Sequence, residues 1–178
     1  VFVPGLSAHG SAPERGVNAV YRMAPLVLEI EQLNGRLRHD DFLGKGTVTI
    51  AEIRSTSPSL CAVADSCTIH LDRRLTAGET IETAVAEIES LPSFAAAKAR
   101  VTVLEYAEPA YTGLVYPTQK YYPTWVLEED HPALKVAVKA YEEALGRKPK
   151  VDKWTFSTNG IATIDRKSVV EGKSVDNG

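Results

Sequence analysis

Two neighbouring stretches, TVTIAEIR (residues 47–54) and CTIHLDRR (67–74), follow one another with only a Ser/Pro-rich loop between them. The first is rich in β-branched residues. In the second, Cys67, Ile69 and Leu71 alternate with Thr68, His70, Asp72 and Arg74. A period of two sends one set to each face of a pleated strand, so the pattern predicts two consecutive strands. What flanks them narrows the fold further. Upstream, residues 1–8 read as a strand ending near Gly5, followed by a helical stripe of Val20, Met23, Val27, Ile30 and Leu33. Downstream, Ile81, Ala84, Val85, Ile88 and Leu91 form a second stripe that Pro92 stops, and RVTVLEY (100–106) reads as a further interior strand. The order is β-α-β-β-α-β. A chain of that order is expected to fold as a ferredoxin-like α+β domain, a four-stranded antiparallel sheet with both helices on one face.

Local punctuation adds detail. Asn34-Gly35 suits a left-handed end to the first helix, and Pro25 predicts a kink or a helix that restarts with Pro25 in its first turn. Thr76 and Glu79 have the spacing of a capping box. Residues 36–46 read as a charged loop. Glu108 to Pro123, rich in Pro, Gly and Tyr, reads as a linker. Beyond it, HPALKVAVKAYEEAL (131–145) is an amphipathic helix, capped by Asp130 and stopped at Gly146. Lys150 to Phe156 reads as a strand, and Ser157-Thr158-Asn159-Gly160 as a tight turn. The expected organisation is a domain over 1–107, a linker over 108–123, and a truncated piece of an α/β domain over 124–164. The last residues, DRKSVVEGKSVDNG (165–178), abandon the apolar pattern and resemble a non-native tail. With Val1-Phe2-Val3 opening in mid-strand, the whole reads as part of a longer protein.

The net charge of −3, with Lys and Arg scattered, argues against a nucleic-acid partner. The longest apolar runs fall well short of the roughly 20 residues that cross a bilayer. No signal pattern opens the chain, and a cytoplasmic location is expected. Cys61 and Cys67, six apart, match neither a CxxC pair nor a zinc-ribbon spacing and read as two buried reduced thiols. The four His residues, at 9, 39, 70 and 131, make no HExxH or other local metal pattern. His39 sits among charges and reads as solvated, and His70 as a surface residue of a strand. Glu128-Glu129-Asp130 directly precede a helix, whose N-terminus attracts carboxylates. His9 differs. It follows a strand and precedes a helix, inside the small-residue run Ser7-Ala8-His9-Gly10-Ser11. On the residues alone, an exposed loop histidine is the simpler account.

Three motifs in register change that account: GLSAHGSAPERGVNAV (5–20), SPSLCAVADSCTIHLDRRLTAGET (57–80) and WTFSTNG (154–160). Together they resemble the di-zinc ArgE/DapE/carboxypeptidase G/aminoacylase group of metallohydrolases, the M20 peptidase family. Within it they look most like the YgeY-like, selenium-metabolism-linked branch. The resemblance covers residues 1 to about 164. It implies that residues 1–107 are the family's dimerisation (lid) domain and that the following piece comes from its catalytic domain. It further implies a homodimer paired through the lid, and two zinc ions that cleave the amide bond of a small amide or peptide substrate. His9 matches the lid His that enters the partner subunit's site and supports the oxyanion. Arg74 matches the lid Arg that binds substrate carboxylate in several members. Thr158, Asn159 and Gly160 match a turn lining the substrate pocket. Many members carry Asn where this chain has Cys61 and Pro where it has Ala64, which bears on substrate class. The family's zinc ligands and general-base Glu belong to motifs outside this sequence, so the chain alone is expected to be inactive. The competing expectation is a ferredoxin-like module that only oligomerises or senses a ligand.

Overall fold

In the computed structural model, which describes residues 1–153 and Ile161, the described residues form ten α-helices and β-strands, besides a short 3-10 turn at Pro13–Arg15. They are β1 (Phe2–Pro4), α1 (Ala19–Arg36), β2 (His39–Asp40), β3 (Gly44–Lys45), β4 (Thr47–Thr56), β5 (Ser66–Arg74), α2 (Ile81–Glu89), β6 (Glu105–Tyr106), β7 (Thr118–Gln119) and α3 (Pro132–Leu145). The consecutive strands pair as their patterns demand. β5 is central in a three-stranded antiparallel sheet of order β1-β5-β4. Val3, Cys67 and Ile69 lie buried on one face of it, and a bulge between Ile50 and Glu52 interrupts β4.

The expected fourth strand, 100–106, does not form a full ladder among the described residues. Only Arg100 pairs with β1, through an isolated bridge to Phe2 with bonds of 2.8 and 2.9 Å. Val101 and Val103 stay half-buried and alternate with exposed Thr102 and Leu104, so the strand periodicity is real. No ladder forms beyond the bridge among the described residues. An antiparallel register that sets Phe2 opposite Arg100 puts Thr102 to Tyr106 opposite positions before Val1. Glu105–Tyr106 pair instead with Thr118–Gln119, and Pro109 bridges Val115. Part of the segment read as a linker thus folds back as a hairpin.

Helix α1 starts at Asn18, whose Oδ1 accepts from the N–H groups of Val20 and Tyr21 at 2.9 and 3.3 Å. Its buried face is Ala19, Met23, Leu26, Ile30 and Leu33, rotated slightly from the predicted stripe, so that Val20 and Val27 sit at the rim. The helix passes through Pro25 without restarting. Nor does it end at Asn34-Gly35; it continues to Arg36 and exits through an extended Leu37. The reason is tertiary: Asn34 Oδ1 accepts from Val48 N–H at 3.0 Å, tying the helix to β4. The loop after it contains the small β2–β3 hairpin, where Asp40 Oδ1 accepts from Phe42 and Leu43 N–H.

The capping box also differs from expectation. Thr80 and Thr83 form it, and α2 begins at Ile81. Glu79 is buried and takes the Thr76 N–H at 2.7 Å, while its other oxygen meets Arg73 at 2.6 Å. Arg73 also reaches Glu87 on α2 at 2.9 Å. Ile88 and Leu91 join the residues of α1 and the sheet in one core.

The chain divides into two compact units, 1–121 and 122 onward. In the second, α3 is capped by His131, whose Nδ1 accepts from Ala133 N–H at 3.2 Å, and not by Asp130. Gly146, with φ 66°, ends the helix as the sequence predicts. No residue of α3 is buried, and Val136 is widely exposed. Lys150 to Lys153 form no strand, and the rest of that predicted strand lies outside the described residues.

Candidate functional site

The loop between β1 and α1 is anchored at three levels, and each uses backbone. Gly5 N–H donates to Asp65 O at 2.8 Å. Leu6 and Val17 exchange two bonds of 2.8 Å, closing the base of the loop. Above them His9 pairs with Ala62 across the β4–β5 loop, with Gly10 N–H donating to Cys61 O at 2.6 Å and Val63 N–H to Ala8 O at 2.8 Å. Two glycines permit this closeness. A Cβ on Gly10 would lie 2.8 Å from Cys61 O, and one on Gly16 would lie 2.6 Å from Leu6 O and 2.9 Å from Ala8 Cβ. Gly16→Ala should therefore destabilise the protein by about 1–3 kcal/mol, the usual cost of forcing atoms into filled space. Urea unfolding checks this, and a change below about 0.5 kcal/mol would contradict the geometry.

His9 is exposed at the tip. Its Nδ1 accepts from Ser11 N–H at 3.1 Å and lies 2.7 Å from Ser11 Oγ. A backbone N–H aimed at Nδ1 requires the lone pair there, so the neutral ring carries its proton on Nε2. The turn thus presents Nε2–H outward as a donor. Ser11 is the residue that sequence reasoning missed; its place two residues after a loop histidine was the available signal.

Arg74 ends β5. Its guanidinium grips Asp72 with two contacts of 2.7 and 2.9 Å and is 68% exposed. An exposed pair of this kind is worth at most about 1 kcal/mol, so another anion can compete for the guanidinium. Its neighbour Arg73 points the other way, into the Glu79–Glu87 cluster. The structure does not bring His9 and Arg74 together. The nine residues of β5, Ser66 to Arg74, separate the His9 end of the sheet from Arg74 by about 26 Å at 3.3 Å per residue. Thr158, Asn159 and Gly160 lie outside the described residues.

The thiols differ from expectation. Cys67 is buried, and burial pushes its thiol pKa up, but Cys61 is exposed beside the His9 loop. His39 and His70 are exposed, as predicted. Among the described residues no three His, Cys, Asp or Glu side chains gather where they could share a metal ion, so no catalytic step through a metal is assigned to them. No helix among them is long and apolar enough to cross a membrane.

Comparison with known proteins agrees with this architecture. A family model described as a peptidase dimerisation domain matches residues 1–100. The chain is 55% identical over 169 residues to the protein YgeY of Escherichia coli K12, covering 95% of this chain and 42% of that protein. Among solved structures, aminopeptidase PepT from Bacillus cereus superposes with a TM-score of 0.56 at 19% identity, over 91% of this chain and 39% of that one. An aminohydrolase, described as putative, from methicillin-resistant Staphylococcus aureus gives 0.57 at 21% identity, over 93% and 39%. The two structures support the fold, and the family match identifies it: the chain belongs to the M20 peptidase family through that family's dimerisation domain.

Proposed function

We propose that this chain is the lid-bearing part of a homodimeric hydrolase that cleaves an amide bond in a small substrate, and that His9 acts in the active site of the partner subunit. The observation that carries the reading is the anchored loop holding an exposed His9 with Nδ1 engaged and Nε2–H free. Such a donor suits a tetrahedral oxyanion, which needs a hydrogen bond that strengthens as charge develops. The separation of His9 from Arg74 supports action in trans. With the whole length of β5 between them in one chain, they cannot hold one small substrate together. In a two-fold dimer each site can take Arg74 from its own subunit and His9 from the other.

On this reading Val101 to Leu104 complete a ferredoxin-like fourth strand in the whole protein, residues 1–107 form the lid, and Thr158, Asn159 and Gly160 line the substrate pocket. Two zinc ions are held by residues outside this chain. The aminopeptidase and the aminohydrolase, described as putative, among the structural neighbours make peptides and other small amides of amino acids the substrates to try first. Incubating the gene product that carries this sequence with a panel of both should release free amino acid from at least one. Chelation should stop that release and zinc should restore it. No release from any member, by a protein shown to be folded and zinc-loaded, would favour the non-catalytic oligomerisation or sensing role.

A further inference from the structure

The turn that carries His9 is closed by Ala12 N–H, which donates to His9 O at 2.9 Å. It folds Ser11 back toward the imidazole, so that two groups of one residue meet one ring atom. Ser11 N–H donates to Nδ1 at 3.1 Å, and Ser11 Oγ lies 2.7 Å from the same nitrogen. Beyond Ser11, Pro13 opens the 3-10 turn, where Arg15 N–H donates to Ala12 O at 3.1 Å. The backbone of Ser11 is therefore held from both sides.

Chemistry fixes the direction of both contacts. The N–H needs the Nδ1 lone pair, which leaves Nδ1 of the neutral ring without a hydrogen. The hydroxyl is then the donor in the shorter contact as well. Its single hydrogen is committed to the ring, and Ser11 has none left to offer an oxyanion. Ser11 can serve the reaction only through His9.

An exposed imidazole without such contacts has a broad χ2 and two neutral tautomers, each with its hydrogen on a different nitrogen. Both His9 and Ser11 are exposed, so packing does not hold the ring. Among the described residues its hydrogen bonds all come from Ser11. The backbone N–H locates Nδ1, and the hydroxyl, which rotates toward the lone pair, adds the second point that sets the ring plane.

We propose that Ser11 is the positioning residue of His9, its hydroxyl holding the ring in the tautomer and orientation that present Nε2–H to an oxyanion. The proposal rests on the reading of His9 as that donor. A donor aimed in advance costs no reorganisation when charge develops, so the benefit of Ser11 belongs to turnover.

Ser11→Ala in the gene product that carries this sequence keeps the backbone N–H and removes only the hydroxyl. It should lower kcat by about 3- to 10-fold, the weight of one ordinary hydrogen bond, with KM and dimer mass little changed. Ser11→Thr, which keeps a hydroxyl, should restore most of that loss. Added to His9→Ala, Ser11→Ala should cost nothing further, because a residue that acts only through His9 has nothing left to position. Proton–nitrogen correlation spectra of histidine-labelled protein, recorded where the ring is neutral, read the imidazole directly, and His9→Ala identifies its signals. Nδ1 should be the nitrogen without hydrogen, and Ser11→Ala should move both ring nitrogens toward the average of the two tautomers. Unchanged kcat in Ser11→Ala, or an equal loss in the His9→Ala background, overturns the positioning role and leaves the His9 reading standing. A spectrum in which Nδ1 carries the hydrogen overturns it in the same way. If His9→Ala itself leaves kcat unchanged, the His9 reading and the role of Ser11 fall together.

Discussion

His9→Ala in the gene product that carries this sequence is expected to lower kcat by about 100- to 1000-fold, with zinc content and dimer mass unchanged. The factor corresponds to roughly 3–4 kcal/mol of transition-state stabilisation, the usual loss when one oxyanion donor is removed. The structure explains why the loss should fall on turnover. His9 is exposed and fills no core, so truncating it removes no packing. The loop keeps its shape through the backbone bonds of Gly10, Val63 and Leu6, none of which uses the imidazole. A donor that bonds only the charged tetrahedral state adds little to substrate affinity, so KM should move far less than kcat. A loss of activity traced entirely to KM would place His9 in substrate binding instead.

The second large effect is structural. Arg73→Met should destabilise the protein by about 3–5 kcal/mol, because it strands a buried carboxylate. Arg73 and Glu79 are 12% and 4% exposed, and the guanidinium is the charge partner of both Glu79 and Glu87. Burial works against the charge of Arg73, but bonds and attraction to Glu79 and Glu87 outweigh it and hold the group above its ordinary pKa. Without it, Glu79 retains only the Thr76 N–H among its described partners. Replacing Glu79 with Gln in the same chain should recover part of the loss, since no unpaired charge then remains in that position. A urea midpoint for Arg73→Met within about 1 kcal/mol of the native value would show that the cluster is better solvated than its burial implies. The cluster also matters for position. It clamps the end of β5 to α2 and so fixes the backbone that carries Arg74.

Why some of this was legible in the sequence, and some not, follows from where the forces act. The strands at 47–54 and 67–74 were readable because a half-buried strand writes its two faces directly into alternate residues. The helix stop at Gly146 was readable because a left-handed residue is a local demand. Asn34-Gly35 made the same local offer and was overruled, since Asn34 is used by Val48 on another element. Thr76 and Glu79 have capping-box spacing, but Arg73, six residues before Glu79, recruits its carboxylate into the core. The alternation from Val101 to Leu104 is present without a ladder because no strand among the described residues stands at that register. In the candidate site, the resemblance pointed to His9 and Arg74, but the hold of Ser11 on Nδ1 is a matter of side-chain geometry that no pattern records. That Arg73 is structural while Arg74 is exposed is a strand-parity result, and adjacent arginines look alike until one face is known to be covered.

The most direct test of the central claim, that His9 serves the neighbouring subunit, is a mixing experiment. Subunits carrying His9→Ala are combined with subunits in which a metal ligand of the same gene product has been replaced, and amide hydrolysis is measured after exchange. Each parent alone is nearly inactive. In a heterodimer, one site has its metal from the His9→Ala subunit and an intact His9 from the other, so activity should appear that neither parent shows. If heterodimers form and no activity returns, His9 does not act across the interface, and the proposed role of the loop is wrong.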